Sequence, residues 1–249
     1  LCDEGALETI DLSVLKPGPD GAPPEDDFLP GALTDCFVAT DVWSMVMAYD
    51  DSKFPDAKPS TPADFFDTAA FPGKRTLRKG AKFNLEFALM ADGVAPADVY
   101  DVLATPEGVD QAFAKLDTIK GDVVWWEAGA QPPQLLADGE VTMAYAFNGR
   151  IFNAAIGENK PFNIVWTGQV YEMEGWIIPK GAPNKDNALE YIAFTTEAER
   201  LARAAELISY GPTRKSSSGL VGNVDGKDIP MAPHLPTTPG NIEQGINSN

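Results

Sequence analysis

Apolar positions change their spacing along this chain, and each change marks an element. Residues 42–49 are almost continuously apolar and read as a strand. Before them, Pro17, Pro19, Pro23, Pro24 and Pro30 stand among Gly and Asp, which fixes φ, removes donors and predicts a surface loop over 16–30. Ser60-Thr61-Pro62-Ala63-Asp64 offers a hydroxyl cap, a first-turn proline and an acid at the positive helix end, so a short helix starts there and runs to Phe71-Pro72-Gly73. Thr105-Pro106-Glu107 repeats the start signal. Val109, Phe113 and Leu116 follow as one apolar stripe of an amphipathic helix.

Residues 122–126 form a short apolar run, Pro132 to Leu136 a brief helix, 141–147 a strand, and Asn148-Gly149 a turn. Helix and strand thus alternate at βαβ spacing, which predicts an α/β fold with a mostly parallel sheet covered on both faces. Residues 163–166 and 170–178 read as two further strands. Thr196 and Glu199 form a capping box that opens a helix with Leu201, Ala204, Ala205 and Ile208 on one side, ended by Tyr210-Gly211-Pro212. From Arg214 onward, serines, prolines and an Asn/Gly-rich end predict an extended tail.

With 249 residues and 44% apolar content, the chain can bury a sizeable core. Lys plus Arg is 19 against 37 Asp plus Glu, a formal charge of -18, which makes nucleic acid a poor partner and permits a cationic ligand. No run of 18 apolar residues exists, so no membrane insertion is expected. The chain starts at Leu1 with no basic-then-apolar leader, which reads as a removed signal peptide or a fragment, the fragment favoured. Cys2 and Cys36, the only cysteines, with one histidine, make no usual metal set, and neither a metal nor a cofactor is expected. The two cysteines are either buried thiols or a disulfide, the favoured reading, worth about 3 to 4 kcal/mol in an oxidising compartment.

Candidate chemistry is sparse. His234 lies in a proline-rich stretch and reads as an exposed loop residue, so no Ser-His-Asp arrangement is built on it. Glu127 with Glu172 leaves a carboxylate-pair hydrolase as an alternative. On a strand, Glu172, Glu174 and Trp176 share one face, opposite Tyr171, Met173 and Gly175, with the carboxylates about 7 Å apart. Two partly dried anions at that spacing repel and are relieved by a cation; the plain alternative is a solvated acidic face. Trp43, Trp126, Phe147 and Tyr210 fall near strand or helix ends, where aromatic faces can line a ligand pocket. Trp125 and Trp126 point to opposite faces of a strand, so at most one of them lines it.

Leu1-Cys2-Asp3-Glu4-Gly5, Asp41-Val42-Trp43-Ser44 with Ala48-Tyr49-Asp50, Phe71-Pro72-Gly73-Lys74-Arg75, Leu136-Ala137-Asp138-Gly139-Glu140-Val141, Phe147-Asn148-Gly149 and Trp176-Ile177-Ile178-Pro179 occur in this order. In this ordered set the chain resembles the spermidine/putrescine type of bacterial periplasmic solute-binding proteins of ABC importers. The resemblance implies a two-lobed type II periplasmic binding fold, each lobe a mixed, mostly parallel sheet flanked by helices. Residues 1–44 and 174–210 would form lobe one, and 45–173 with 211–249 lobe two. It also implies that a strand-helix unit before Cys2, one wall of the pocket, and a helical segment after Asn249 are missing.

By the same resemblance, Phe147 falls at an aromatic pocket wall, Glu174 at an acid that pairs with an ammonium, and Tyr210 at a tyrosine. Glu172 replaces an aromatic. The family's acidic pair falls near Gly80 and Phe83, beside Arg78 and Lys79, which removes one cation anchor and places positive charge there. The implied function is capture, without catalysis, of a small cation such as putrescine or spermidine in the interlobe cleft, by a periplasmic monomer that serves an ABC permease. Trp43, Phe147, Glu172, Glu174 and Tyr210 form the expected site, with Arg78, Glu127 and Trp126 as further candidates. The alternative within binding proteins is a zwitterionic or anionic solute held by Arg78 or Arg214.

Overall fold

A computed structural model describes residues 1–248. In chain order its strands are β1 (Leu33–Thr34), β2 (Phe37–Asp50), β3 (Arg75–Arg78), β4 (Val123–Trp126), β5 (Met143–Phe147), β6 (Phe162–Trp176), β7 (Gly211–Pro212) and β8 (Ile246–Asn247). The α-helices are α1 (Pro24–Asp27), α2 (Pro62–Phe66), α3 (Asn84–Ala91), α4 (Val99–Leu103), α5 (Pro106–Asp117), α6 (Gln131–Ala137), α7 (Asn148–Phe152), α8 (Lys185–Thr195), α9 (Ala198–Leu207) and α10 (Lys215–Ser218). The chain folds into two compact units, one of Leu1–Trp43 and Glu172–Thr238, the other of Ser44–Tyr171 and Pro239–Ser248. The long strands β2 and β6 each contribute residues to both.

In the second unit, every residue of β2 from Ser44 to Asp50 is buried, as a strand covered on both faces requires, which explains its nearly continuous apolar run. β3 pairs in parallel with β4 and β5, and β6 in parallel with β8, whereas β5 runs antiparallel to β2 from Met45↔Phe147 to Tyr49↔Met143. The sheet is therefore mixed. Ala48, Val141, Ala144, Ala146 and Ile151 pack into one apolar cluster, and Tyr145 stacks on Phe87 with ring centroids 3.6 Å apart. Buried Arg75 donates to the carbonyls of Phe65, Asp67, Phe71 and Gly73, so its charge is spent holding one turn.

In the first unit, Cys2 and Cys36 are joined by a disulfide. Arg214, 1% exposed, pairs with Asp27 at 2.9 Å, donates to the carbonyls of Thr196 and Lys16, and stands over the Phe28 ring. The tail after residue 210 differs from the expectation that placed it in lobe two. Residues 211–238 belong to the first unit, because β7 pairs with Asp41 and Val42 and Thr213 Oγ1 donates to the Ala39 carbonyl at 2.8 Å. Only 239–248 join the second unit, where β8 pairs with Val170 and Tyr171.

Local readings differ at five points. α2 stops at Phe66, where Asp67 turns the chain by accepting from the amides of Ala69 and Ala70, well before Phe71-Pro72-Gly73. Asn148-Gly149 starts α7 rather than a turn. The two strands expected over 163–178 are one, because Gly168 takes φ 73° inside β6 and lets the strand continue; a side chain there would meet Pro62 Cγ at 2.4 Å. Glu197, not Thr196, caps α9, since the Thr196 hydroxyl donates back to the Ile192 carbonyl. His234 is half-buried in a 3-10 turn, and desolvation pushes its pKa down. Among the described residues no helix is long and apolar enough to cross a membrane.

Candidate functional site

Two groups of side chains can meet a small charged molecule, one in each unit. In the first unit the group is anionic. Alternation along β6 puts Glu172, Glu174 and Trp176 on one face, with Glu174 and Trp176 exposed and Met173 buried opposite. Gly175 lies against β2, where a Cβ would sit 2.2 Å from the Val38 carbonyl oxygen, and the carboxylate of Glu174 is near enough for its charge to act on Asp41. The Thr40 hydroxyl, 2.8 Å from Asp41 Oδ2 and 3.2 Å from the Glu174 carbonyl, can donate to either.

Asp41 is the perturbed acid. Its Oδ1 is buried without a hydrogen-bond partner among the described residues, and Asp41 lines a cavity of about 80 Å³ together with Tyr210 and the α9 side chains Leu201 and Ala205. Burial raises its pKa first and the Glu174 charge adds to it; against the Thr40 hydrogen bond, the carboxyl is pushed up to about 6. Trp43, half-buried, follows on the same side of β2. Trp176 is held by its indole N–H to Thr195 Oγ1 at 3.0 Å and by an edge contact with Tyr191.

In the second unit the group is aromatic and cationic. The parallel strands β3, β4 and β5 all end at one edge, at Arg78, Trp126 and Phe147. Trp126 is a core residue, 1% exposed, its indole N–H donating to the Tyr145 carbonyl and its ring meeting Phe147 edge-on at 5.5 Å. Phe147 is half-buried there, and Trp125 of β4 is exposed. Gly129 leaves room beside it, since a Cβ would lie 3.0 Å from the Phe147 ring and 3.9 Å from Arg150 Nε. Glu127 is exposed and paired with Lys79 at 2.9 Å.

The arginines separate by what already satisfies them. Arg75 and Arg214 are buried and saturated, Arg200 pairs with Glu197, and Arg203 pairs with Glu206 and Asp225. Arg78, over the Phe83 ring at 5.9 Å, and exposed Arg150 hold no ion pair among the described residues. The sequence reading named Arg78 and Arg214 but missed Arg150 and Asp41. The signal for Arg150 was its place just past a strand end, within the first turn after Phe147.

Of the expected residues, the structure sets Glu174 beside Asp41 and Tyr210 at the cavity of Asp41; Glu172 and Trp43 lie in the same unit. Phe147, Trp126, Glu127 and Arg78 all belong to the other unit. Each unit thus offers charged groups beside aromatic side chains on an α/β scaffold, a lining suited to a small charged solute. The sequence matches the bacterial extracellular solute-binding protein family over residues 1–237, and the chain belongs to that family. Its solved relatives are substrate-binding proteins that share the type II periplasmic binding fold.

The chain is 50% identical over 242 residues to the gamma-aminobutyric acid-binding protein of Pseudomonas aeruginosa, covering 97% of this chain and 64% of that relative. It thus spans slightly less than two thirds of the relative's length. It superposes on a solved gamma-aminobutyric acid (GABA) receptor with a TM-score of 0.78 at 34% identity, over 100% of this chain and 71% of that one. The spermidine/putrescine-binding periplasmic protein of Escherichia coli is 25% identical over 134 residues, 53% of this chain and 38% of that relative. The polyamine type is thus the more distant likeness.

Proposed function

We propose that this chain is the solute-capturing component of an ABC importer, working in the periplasm, and that its ligand is a small ω-amino acid of the gamma-aminobutyric acid type. The observation that carries the reading is the 50% identity, along 97% of the chain, to a relative named for that ligand. Charge chemistry supports it. A diamine presents two cations and has no use for a guanidinium, whereas an ω-amino acid carries one ammonium and one carboxylate, and the chain offers a complement for each.

Glu174 and Asp41 are the ammonium acceptors, with Tyr210 beside them. In the other unit, Arg150 is the group suited to a carboxylate, because it is exposed, lacks an ion pair among the described residues and lies next to Phe147 across the space left by Gly129. Arg214 is excluded from that role by its buried pairing with Asp27. The polyamine reading lacks this complementarity at Arg150.

Calorimetric titration of wild type, Arg150→Gln and Glu174→Gln with gamma-aminobutyric acid tests the assignment. Each variant is expected to lose 10-fold or more in affinity, since a charge-assisted hydrogen bond contributes about 1.5 to 3 kcal/mol. Glu172→Gln is expected to lose less than Glu174→Gln. Undiminished affinity in Arg150→Gln would move the carboxylate to Arg78 or remove the zwitterion altogether, and Arg78→Gln decides between the two.

A further inference from the structure

Asp41 carries a consequence beyond ligand identity. Thr40 donates to one of its oxygens; Glu174 of β6 is a second acid; the cavity that Asp41 lines is completed by Tyr210 and Pro212, by Leu201, Ala204 and Ala205 of α9, and by Ile208 just after it. No lysine, arginine or histidine is among them. The side chain therefore has one satisfied oxygen, one buried oxygen without a partner among the described residues, an acidic neighbour and an adjoining cavity of about 80 Å³.

We propose that Asp41 is a proton-exchanging ammonium receptor: in the empty protein its carboxyl holds a proton in mildly acidic medium, and a ligand ammonium entering the adjacent cavity replaces that proton. The exchange is balanced. The neutral carboxyl gives its proton to solvent, the ligand stays an ammonium, and the carboxylate formed accepts a hydrogen bond from it. A buried anion facing a second anion is costly until a cation arrives, so the empty site favours the proton and the filled site the charge pair. The carboxyl's upward displacement to about 6 agrees with that geometry. The consequence is capture that tightens as the medium goes from acidic to neutral.

This rests on the ligand bearing an ammonium, and the test separates the two claims. Gamma-aminobutyric acid and putrescine are titrated into the full chain by calorimetry at pH 5, 6, 7 and 8, each in two buffers of different ionisation enthalpy to count protons. For whichever probe binds, wild type is expected to release protons near pH 6 and to weaken about tenfold for each pH unit below it. Asp41→Asn, which keeps the shape, is expected to release none and to show a flat pH profile. Binding by wild type with no proton release and no pH dependence overturns the role of Asp41 and leaves the solute assignment standing. Proton release on binding putrescine alone upholds Asp41 and overturns the zwitterion. Binding of neither probe at any pH overturns both. If Asp41→Asn does not fold, the wild-type proton count decides by itself.

Discussion

Buried Arg214 and half-buried Asp41 show how two charged side chains differ in purpose. Arg214 has every direction filled by Asp27 and two carbonyls, so it serves the fold. Breaking one side of such a pair strands the other charge, and Asp27→Asn is expected to cost about 3 to 5 kcal/mol by urea denaturation. Asp41 has no countercharge and behaves oppositely. Its folded pKa, about 6, lies above the ordinary 3.8, so between those values the folded chain keeps a proton that the unfolded chain has released. Its contribution is therefore fully present below about pH 4 and lost as pH rises through 6, a change of at most about 3 kcal/mol. Without ligand, Asp41→Asn is expected to flatten the decline in melting temperature over that range. An unchanged decline would mean that another group titrates. The sequence displayed Asp41 only as a polar letter just before an apolar run; apart from Thr40, the groups around it, Glu174 and α9, lie more than a hundred positions away.

At the level of elements, β2 and β6 carry the site. The apolar run over 42–49 was legible because a strand buried on both faces has little choice of residue. The period-two placement of Glu172, Glu174 and Trp176 was legible for a similar reason, a fixed alternation of faces. The continuity of β6 was not, since a glycine inside a strand reads as a break until its backbone is seen. Gly168→Ala forces a positive φ on a residue with a Cβ and drives it into Pro62, so a loss of about 1 to 3 kcal/mol is expected. The Cys2–Cys36 bridge closes a separation of 34 residues, and its reduction is expected to cost about 3 to 4 kcal/mol, read as a shift in denaturation midpoint. The end of α2 and the start of α7 were misread because both depend on hydrogen bonds made once the chain has turned. The tail over 211–238 was misassigned because its composition says loop and not which neighbour the loop packs against.

For the molecule as a whole, the α/β class and the solute-binding role were readable from ordered motifs, while the ligand was not. Motif order reports the scaffold that relatives share. Ligand choice depends on which arginines remain after the fold has used its own, and that count needs coordinates. Here it leaves Arg78 and Arg150, which favours a molecule with a carboxylate over one with two ammoniums. Thermal denaturation of the chain with gamma-aminobutyric acid or putrescine, each in excess at pH 7.5, tests this most directly. At 100 times its dissociation constant a ligand stabilises by about 2.7 kcal/mol. The account predicts a rise in melting temperature of several degrees with gamma-aminobutyric acid and little or none with putrescine; a rise with putrescine alone would contradict it.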